Sequence, residues 1–130
     1  MYEATTHGIR VKVEPQFLEH ESDPDAGRYF WAYTIEITNE SERTVKLRTR
    51  YWQITDAAGR TEEVRGPGVV GETPVLEPGQ SFKYTSGCPL TEPSGVMVGR
   101  YGMVDAQGDA FEVDVPAFSL DSSVVRPVFN

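Results

Sequence analysis

The chain has 130 residues, with 38% hydrophobic and 25% charged positions, and 12 Lys and Arg against 20 Asp and Glu for a formal net charge of −8. A single domain of this size buries roughly 65–70% of its unfolded surface and needs neither disulfides nor a metal to hold a core. The acidic balance argues against a general binder of DNA or RNA and against docking on anionic lipid. The lone Cys88 excludes an internal disulfide and fits a reducing compartment. No run approaches the ~20 apolar residues of a membrane span. The first residues lack the basic start and apolar run of a leader, so a cytoplasmic location is expected.

Ile9, Val11 and Val13 alternate with Arg10, Lys12 and Glu14, as in a half-buried strand. Pro15 should weaken that strand or place it at an edge. An acidic, turn-rich stretch containing His20, Asp23, Pro24 and Asp25 follows. Residues 28–38 are dense in aromatic and β-branched side chains, and Tyr29, Trp31, Tyr33, Ile35 and Ile37 share the face expected to be core. In residues 44–55, Val45 and Leu47 are in one phase and Trp52 and Ile54 in the other. A β-bulge near Arg50 or Tyr51 would reconcile the two. Residues 56–59 suit a hairpin turn, and residues 60–65 a short polar edge strand.

The segment from Glu63 to Gly79 is rich in Gly and Pro and contains Gly66-Pro67-Gly68-Val69-Val70-Gly71, a G-x-G-x-x-G match. Residues 77–80 then suit a type II turn, and residues 81–86 a strand. Residues 87–95 are expected to be a loop. Residues 96–104 and 110–115 pair as a hairpin around Asp105 to Asp109, and the tail after Pro116 is expected to be irregular. The result is an all-β, immunoglobulin-like sandwich of about seven to eight antiparallel strands, in one domain spanning 1–130.

The G-x-G-x-x-G match does not carry its dinucleotide meaning here. That meaning requires a helix opening at the motif within a βαβ unit, and Pro74 and Pro78 prevent a long helix. Two readings remain. The glycines bend the chain where it crosses between sheets, or the loop's N–H groups form an anion-binding nest. The second gains from Arg43, Lys46, Arg48, Arg50, Arg60 and Arg65, a basic concentration in an acidic chain. Simple alternation would place Lys46, Arg48 and Arg50 on one face. The candidate anion site is Arg50, Arg65, Gly66, Gly68 and Gly71. The competing account is a solvated face paired with Glu36, Glu62 and Glu63.

His7 and His20 belong to no zinc-spaced cluster. Cys88 has no visible base and suits a buried packing role. No nucleophile elbow or acid–base pair stands out. Neither catalysis, nor a metal site, nor a cofactor is expected.

Several blocks taken together resemble the ApaG family. They are Tyr29-Phe30-Trp31-Ala32-Tyr33-Thr34-Ile35, Trp52 through Arg60, Glu63 through Glu72, Pro74 through Gly79, Tyr84 through Leu90, Gly102 through Gly108, and Phe111 through Phe118. The resemblance implies a fibronectin type III-like sandwich and a cytoplasmic bacterial protein associated with cobalt and magnesium resistance or efflux, acting through an unknown protein partner. It also implies pyrophosphate or nucleotide binding at the Gly-rich loop as the alternative. The family pattern has Arg-His-Trp where this chain has Arg50-Tyr51-Trp52, and Gly-Glu-Gly where it has Gly66-Pro67-Gly68. The first change removes a potential ligand; the second removes a carboxylate and an N–H. Homo-oligomerisation stays open.

Overall fold

A computed structural model describes residues 1–122. Nine strands form two antiparallel sheets: β1 Tyr2–Thr6, β2 Ile9–Phe17, β3 Tyr29–Asn39, β4 Val45–Asp56, β5 Thr61–Pro67, β6 Val75–Leu76, β7 Ser81–Leu90, β8 Ser94–Asp105 and β9 Ala110–Asp121. One sheet has the order β1-β2-β3-β7, the other β5-β4-β8-β9, with β6 pairing beside β4. Helical structure among the described residues is limited to two 3-10 turns, Glu19–Glu21 and Pro24–Ala26.

The core is the set of inward-facing side chains of the two sheets. β3 alternates without a break, and Tyr29, Trp31, Tyr33, Ile35 and Ile37 are all buried. They meet Trp52 of β4, Tyr101 and Met103 of β8, and Val113, Val115 and Phe118 of β9. Trp52 packs edge-on to Tyr33, Tyr101 and Phe118. Its ring sits where a Cβ on Gly99 would be, 2.6 Å from the nearest ring carbon. The tyrosine hydroxyls find partners despite burial, Tyr84 bonding to Tyr101 across the sandwich.

The two long sides of the sandwich differ. On one, β9 lies against β1 and β2, and the sheets are stitched by Asp114 N–H on Thr6 Oγ1 (3.2 Å) and Ser119 N–H on the Tyr2 hydroxyl (3.3 Å). On the other, the edges β5 and β7 face each other without pairing.

Three sequence expectations need correction: those for the tail after Pro116, for residues 87–90 and for the Gly-rich segment. The tail after Pro116 is strand through Asp121, because the register shift between Met97 and Gly99 admits Pro116 at a bulge where no N–H is needed. Residues 123–130 lie outside the described residues. Residues 87–90 extend β7 rather than forming a loop, since Pro89 sits on an edge strand. β1 adds a strand, joined to β2 by His7 and Gly8, both with positive φ as in a tight hairpin. Pro15 lies within β2 beyond the point where β1 stops pairing, an edge position as expected, so its missing N–H leaves no ladder bond unmade. The Gly-rich segment does not cross between sheets. It folds back so that β6 pairs with β4, and the crossing follows at residues 77–80, where Gln80 N–H closes the expected turn on Glu77 O at 2.9 Å.

Candidate functional site

The bulge of β4 decides where the basic residues point. It falls between Leu47 and Thr49, not at Arg50 or Tyr51. Lys46 and Arg48 therefore face outward, while Arg50 joins Trp52 on the inward face and Tyr51 turns outward. The expected single face of Lys46, Arg48 and Arg50 does not form, because one extra residue reverses the phase.

Arg50 lies opposite Gly66 of β5. A Cβ on Gly66 would come within 2.9 Å of the guanidinium, so the glycine makes room for it. Arg50 Nη1 donates to the carbonyls of Pro67 (2.8 Å) and Gly68 (3.0 Å). Its charge faces the open side of the sandwich near Tyr33 and Tyr84. Burial raises the pKa of both phenols, and Arg50 offsets only part of that rise.

The other two motif glycines serve the backbone. Gly68 has φ +59°, and a Cβ there would collide with the carbonyl oxygen of Glu72. Its N–H donates to Arg48 O at 2.8 Å. Val69 and Glu72 exchange two hydrogen bonds of 2.8 Å, which closes a hairpin turn with Val70 (φ +44°) and Gly71 (φ +81°) at its tip. Val69 is buried in the core, whereas Val70 is 54% exposed and Val75, on β6, is 55% exposed. Among the described residues, the turn leaves only the N–H groups of Val70 and Gly71 without a partner.

Arg65 does not join Arg50. It lies on the outer face, with its guanidinium 4.8 Å from the Tyr51 ring centroid and Nη2 3.5 Å from Glu63. Arg100 covers the same ring at 4.2 Å and pairs with Glu112 at 3.1 Å. Tyr51 also donates to Glu63 at 3.1 Å. The expected five-residue site thus divides. Arg50 of β4 and Gly66 of β5 adjoin the loop that carries Gly68 and Gly71, and Arg65 belongs to an outer stack that reaches Arg100, a residue the sequence reading did not single out.

Arg60 holds Asp56 (3.3 Å) and Glu92 (3.6 Å) at the β4–β5 turn. Arg43 holds Asp105 (3.0 Å) at the β8–β9 turn. Cys88 is buried, with burial first and Glu62 second pushing its thiol up to about 11. No group of three or more His, Cys, Asp or Glu side chains among the described residues could hold a metal ion. No helix among them is long and apolar enough to cross a membrane.

The comparisons bear directly on this architecture. The ApaG domain family matches residues 19–105, which includes β3, the bulged β4 and the whole Gly-rich loop. The chain belongs to the ApaG family. It is 63% identical over 130 residues to Protein ApaG of Brucella anthropi, with all of both chains aligned. It is 62% identical over 122 residues to Protein ApaG of Rhodospirillum centenum, covering 94% of each. Among solved structures it is similar to an ApaA protein from Bordetella pertussis. There the TM-score is 0.87 at 44% identity, covering 90% of this chain and 95% of the other. The C-terminal domain of wzt shares the fold at 13% identity and a TM-score of 0.55. The ApaG loop is thus framed here by Arg50 within the sandwich and by Lys46 and Arg48 outside it.

Proposed function

We propose that this ApaG-family chain is a non-enzymatic protein-docking module that influences cobalt and magnesium tolerance through a partner, and that the tip of the Gly-rich loop is where the partner docks. The observation behind this reading is Val70. A β-branched residue at positive φ is strained by roughly 1–3 kcal/mol, and burial does not repay that strain at 54% exposure. Asn or Gly would suit the turn better. An exposed apolar side chain held at such a position fits a contact surface, and the same Gly-rich segment carries a second exposed valine, Val75, paired in register to the exposed Lys46.

The test uses a bacterial strain lacking the gene. Loss of the gene should alter cobalt and magnesium tolerance, and the wild-type gene should restore it. Val70→Asn, which keeps the turn and removes the apolar tip, should not. Unchanged tolerance on deletion, or full complementation by Val70→Asn, would overturn the proposal.

A second reading rests on Arg50, whose guanidinium has no carboxylate partner among the described residues. With the two free N–H groups of the turn it could receive pyrophosphate or a nucleotide polyphosphate. Titration with pyrophosphate at low salt should then shift the amides of Gly66, Gly68, Val70 and Gly71. No shift at millimolar ligand would remove this reading.

A further inference from the structure

At the other end of the β4–β5 ribbon, the open side of the sandwich widens into a cleft of about 540 Å³. Its floor is apolar, formed by Tyr29 and Phe30 of β3, Ile54 of β4 and Pro89 and Leu90 of β7. Its rims include the first residues of β5, Thr61 and Glu62, and the last of β7, Pro89 and Leu90, and both are edge strands whose outer backbone groups pair with no strand among the described residues. An unpaired sheet edge beside an apolar floor is the geometry that accepts an extended peptide, with main-chain bonds to the edge and alternate side chains to the floor.

The charges around the cleft choose the occupant. Glu21, Asp56 and Glu62 line it against Arg28 and Arg60. Arg60 is already held by Asp56 and by Glu92, which adjoins the lining residue Thr91. With Glu92 counted, four carboxylates stand against two guanidiniums. Glu21 and Glu62 make no ion pair among the described residues, and both are exposed. The surplus is acidic, on a chain whose net charge is −8.

We infer that the cleft between β5 and β7 binds an extended segment of a partner protein that carries apolar side chains alternating with Lys or Arg. The apolar side chains fill the floor over Ile54 and Leu90. The cationic side chains lie at the rim towards Glu21 and Glu62. This surface is separate from the Val70 turn, so either can fail without the other.

The experiment titrates the full chain, labelled for amide NMR, with two blocked hexapeptides. One alternates Val or Leu with Lys; the other has Glu in place of each Lys. The Lys peptide should shift amides of β5 and β7 and those of Glu21 and Leu90, and should bind about three- to tenfold more tightly than the Glu peptide at low salt. A Glu21→Lys, Glu62→Lys double variant changes two exposed side chains and should abolish or reverse that preference. The proposal is overturned if the Lys peptide produces no shifts at millimolar concentration. Equal affinity for the two peptides, or shifts confined to the Val70 turn, would do the same. The wild-type comparison of the two peptides decides the matter even if the double variant does not fold.

Discussion

At Gly68 an added methyl group has no space, whereas at Gly71 it meets nothing within 4 Å. The three glycines of one motif therefore differ in what they carry. Gly68→Ala combines a left-handed backbone with collision against the Glu72 carbonyl and should destabilise by about 3 kcal/mol or more. Gly71→Ala bears only the left-handed term, about 1–2 kcal/mol. Urea unfolding of the two variants checks the order, and equal losses would show that the collision relaxes. Val70 gives the opposite sign. Val70→Asn relieves a β-branched residue at φ +44° and should raise stability by about 1 kcal/mol. A thermal midpoint that falls instead would mean that Val70 contributes packing its exposure does not suggest. Cys88 supplies a pH dependence. Its folded thiol is raised to about 11 from an ordinary 9.0, so the folded state holds its proton where the unfolded chain releases it. The resulting stability is fully present below pH 9 and is lost as pH rises towards 11, about 3 kcal/mol at most. Urea midpoints at pH 8 and pH 10.5 should fall less for Cys88→Ala than for the wild type.

At the scale of strands, alternation made β2 and β3 legible, because one buried face imposes a period of two on the side chains, whereas the polar β5 was legible only from the hairpin turn before it. The same rule failed where proline and bulges intervened. Pro89 and Pro116 read as strand breakers, yet an edge strand tolerates a missing donor and a bulge absorbs the extra residue. The β4 bulge was legible in kind, since Val45 and Trp52 conflict in phase, but not in position. A shift of the bulge to the Leu47–Thr49 step is enough to exchange the faces of Arg50 and Tyr51. The candidate site suffered directly: Arg50 entered the sandwich, and Arg65 went to the outer stack. Arg100 could not be found from local sequence, because its partnership with Tyr51 depends on the β4–β8 register. That register also explains Gly99. The Tyr51 carbonyl oxygen and the Trp52 ring both crowd the place of its absent side chain, so Gly99→Ala should destabilise by about 1–3 kcal/mol through overpacking. A change in Trp52 near-ultraviolet circular dichroism should accompany the loss. A stable variant with an unaltered spectrum would refute the proposed contact.

For the molecule as a whole, the asymmetry between its two sides sets where it should open. The β1–β9 side is closed by contacts and by two hydrogen bonds between sheets. On the β5–β7 side no strand pairing joins the sheets, Arg50 bonds only to the carbonyls of Pro67 and Gly68, and Val69 of the Gly-rich loop is buried in the core. β5 buries little: Val64 and Gly66 are half-buried, and the other five residues are exposed. Local opening draws on regions with few buried contacts, so β5 should detach from β4 well before the sandwich unfolds. Native-state hydrogen exchange should therefore give β5 amides opening free energies several kcal/mol below those of β3 and β8, whose protection should approach the global value. Arg50→Leu removes the bonds to Pro67 and Gly68 and should speed exchange in β5 and the loop while leaving β1 unchanged. If β1 exchanged first, or β5 only with the whole molecule, the open side would be a rigid wall. A peptide could then enter the cleft only as it already stands, and its on-rate would not respond to Arg50→Leu. If β5 does yield first, the same substitution should speed entry of the Lys-bearing peptide, because the edge strand that rims the cleft is the one that moves.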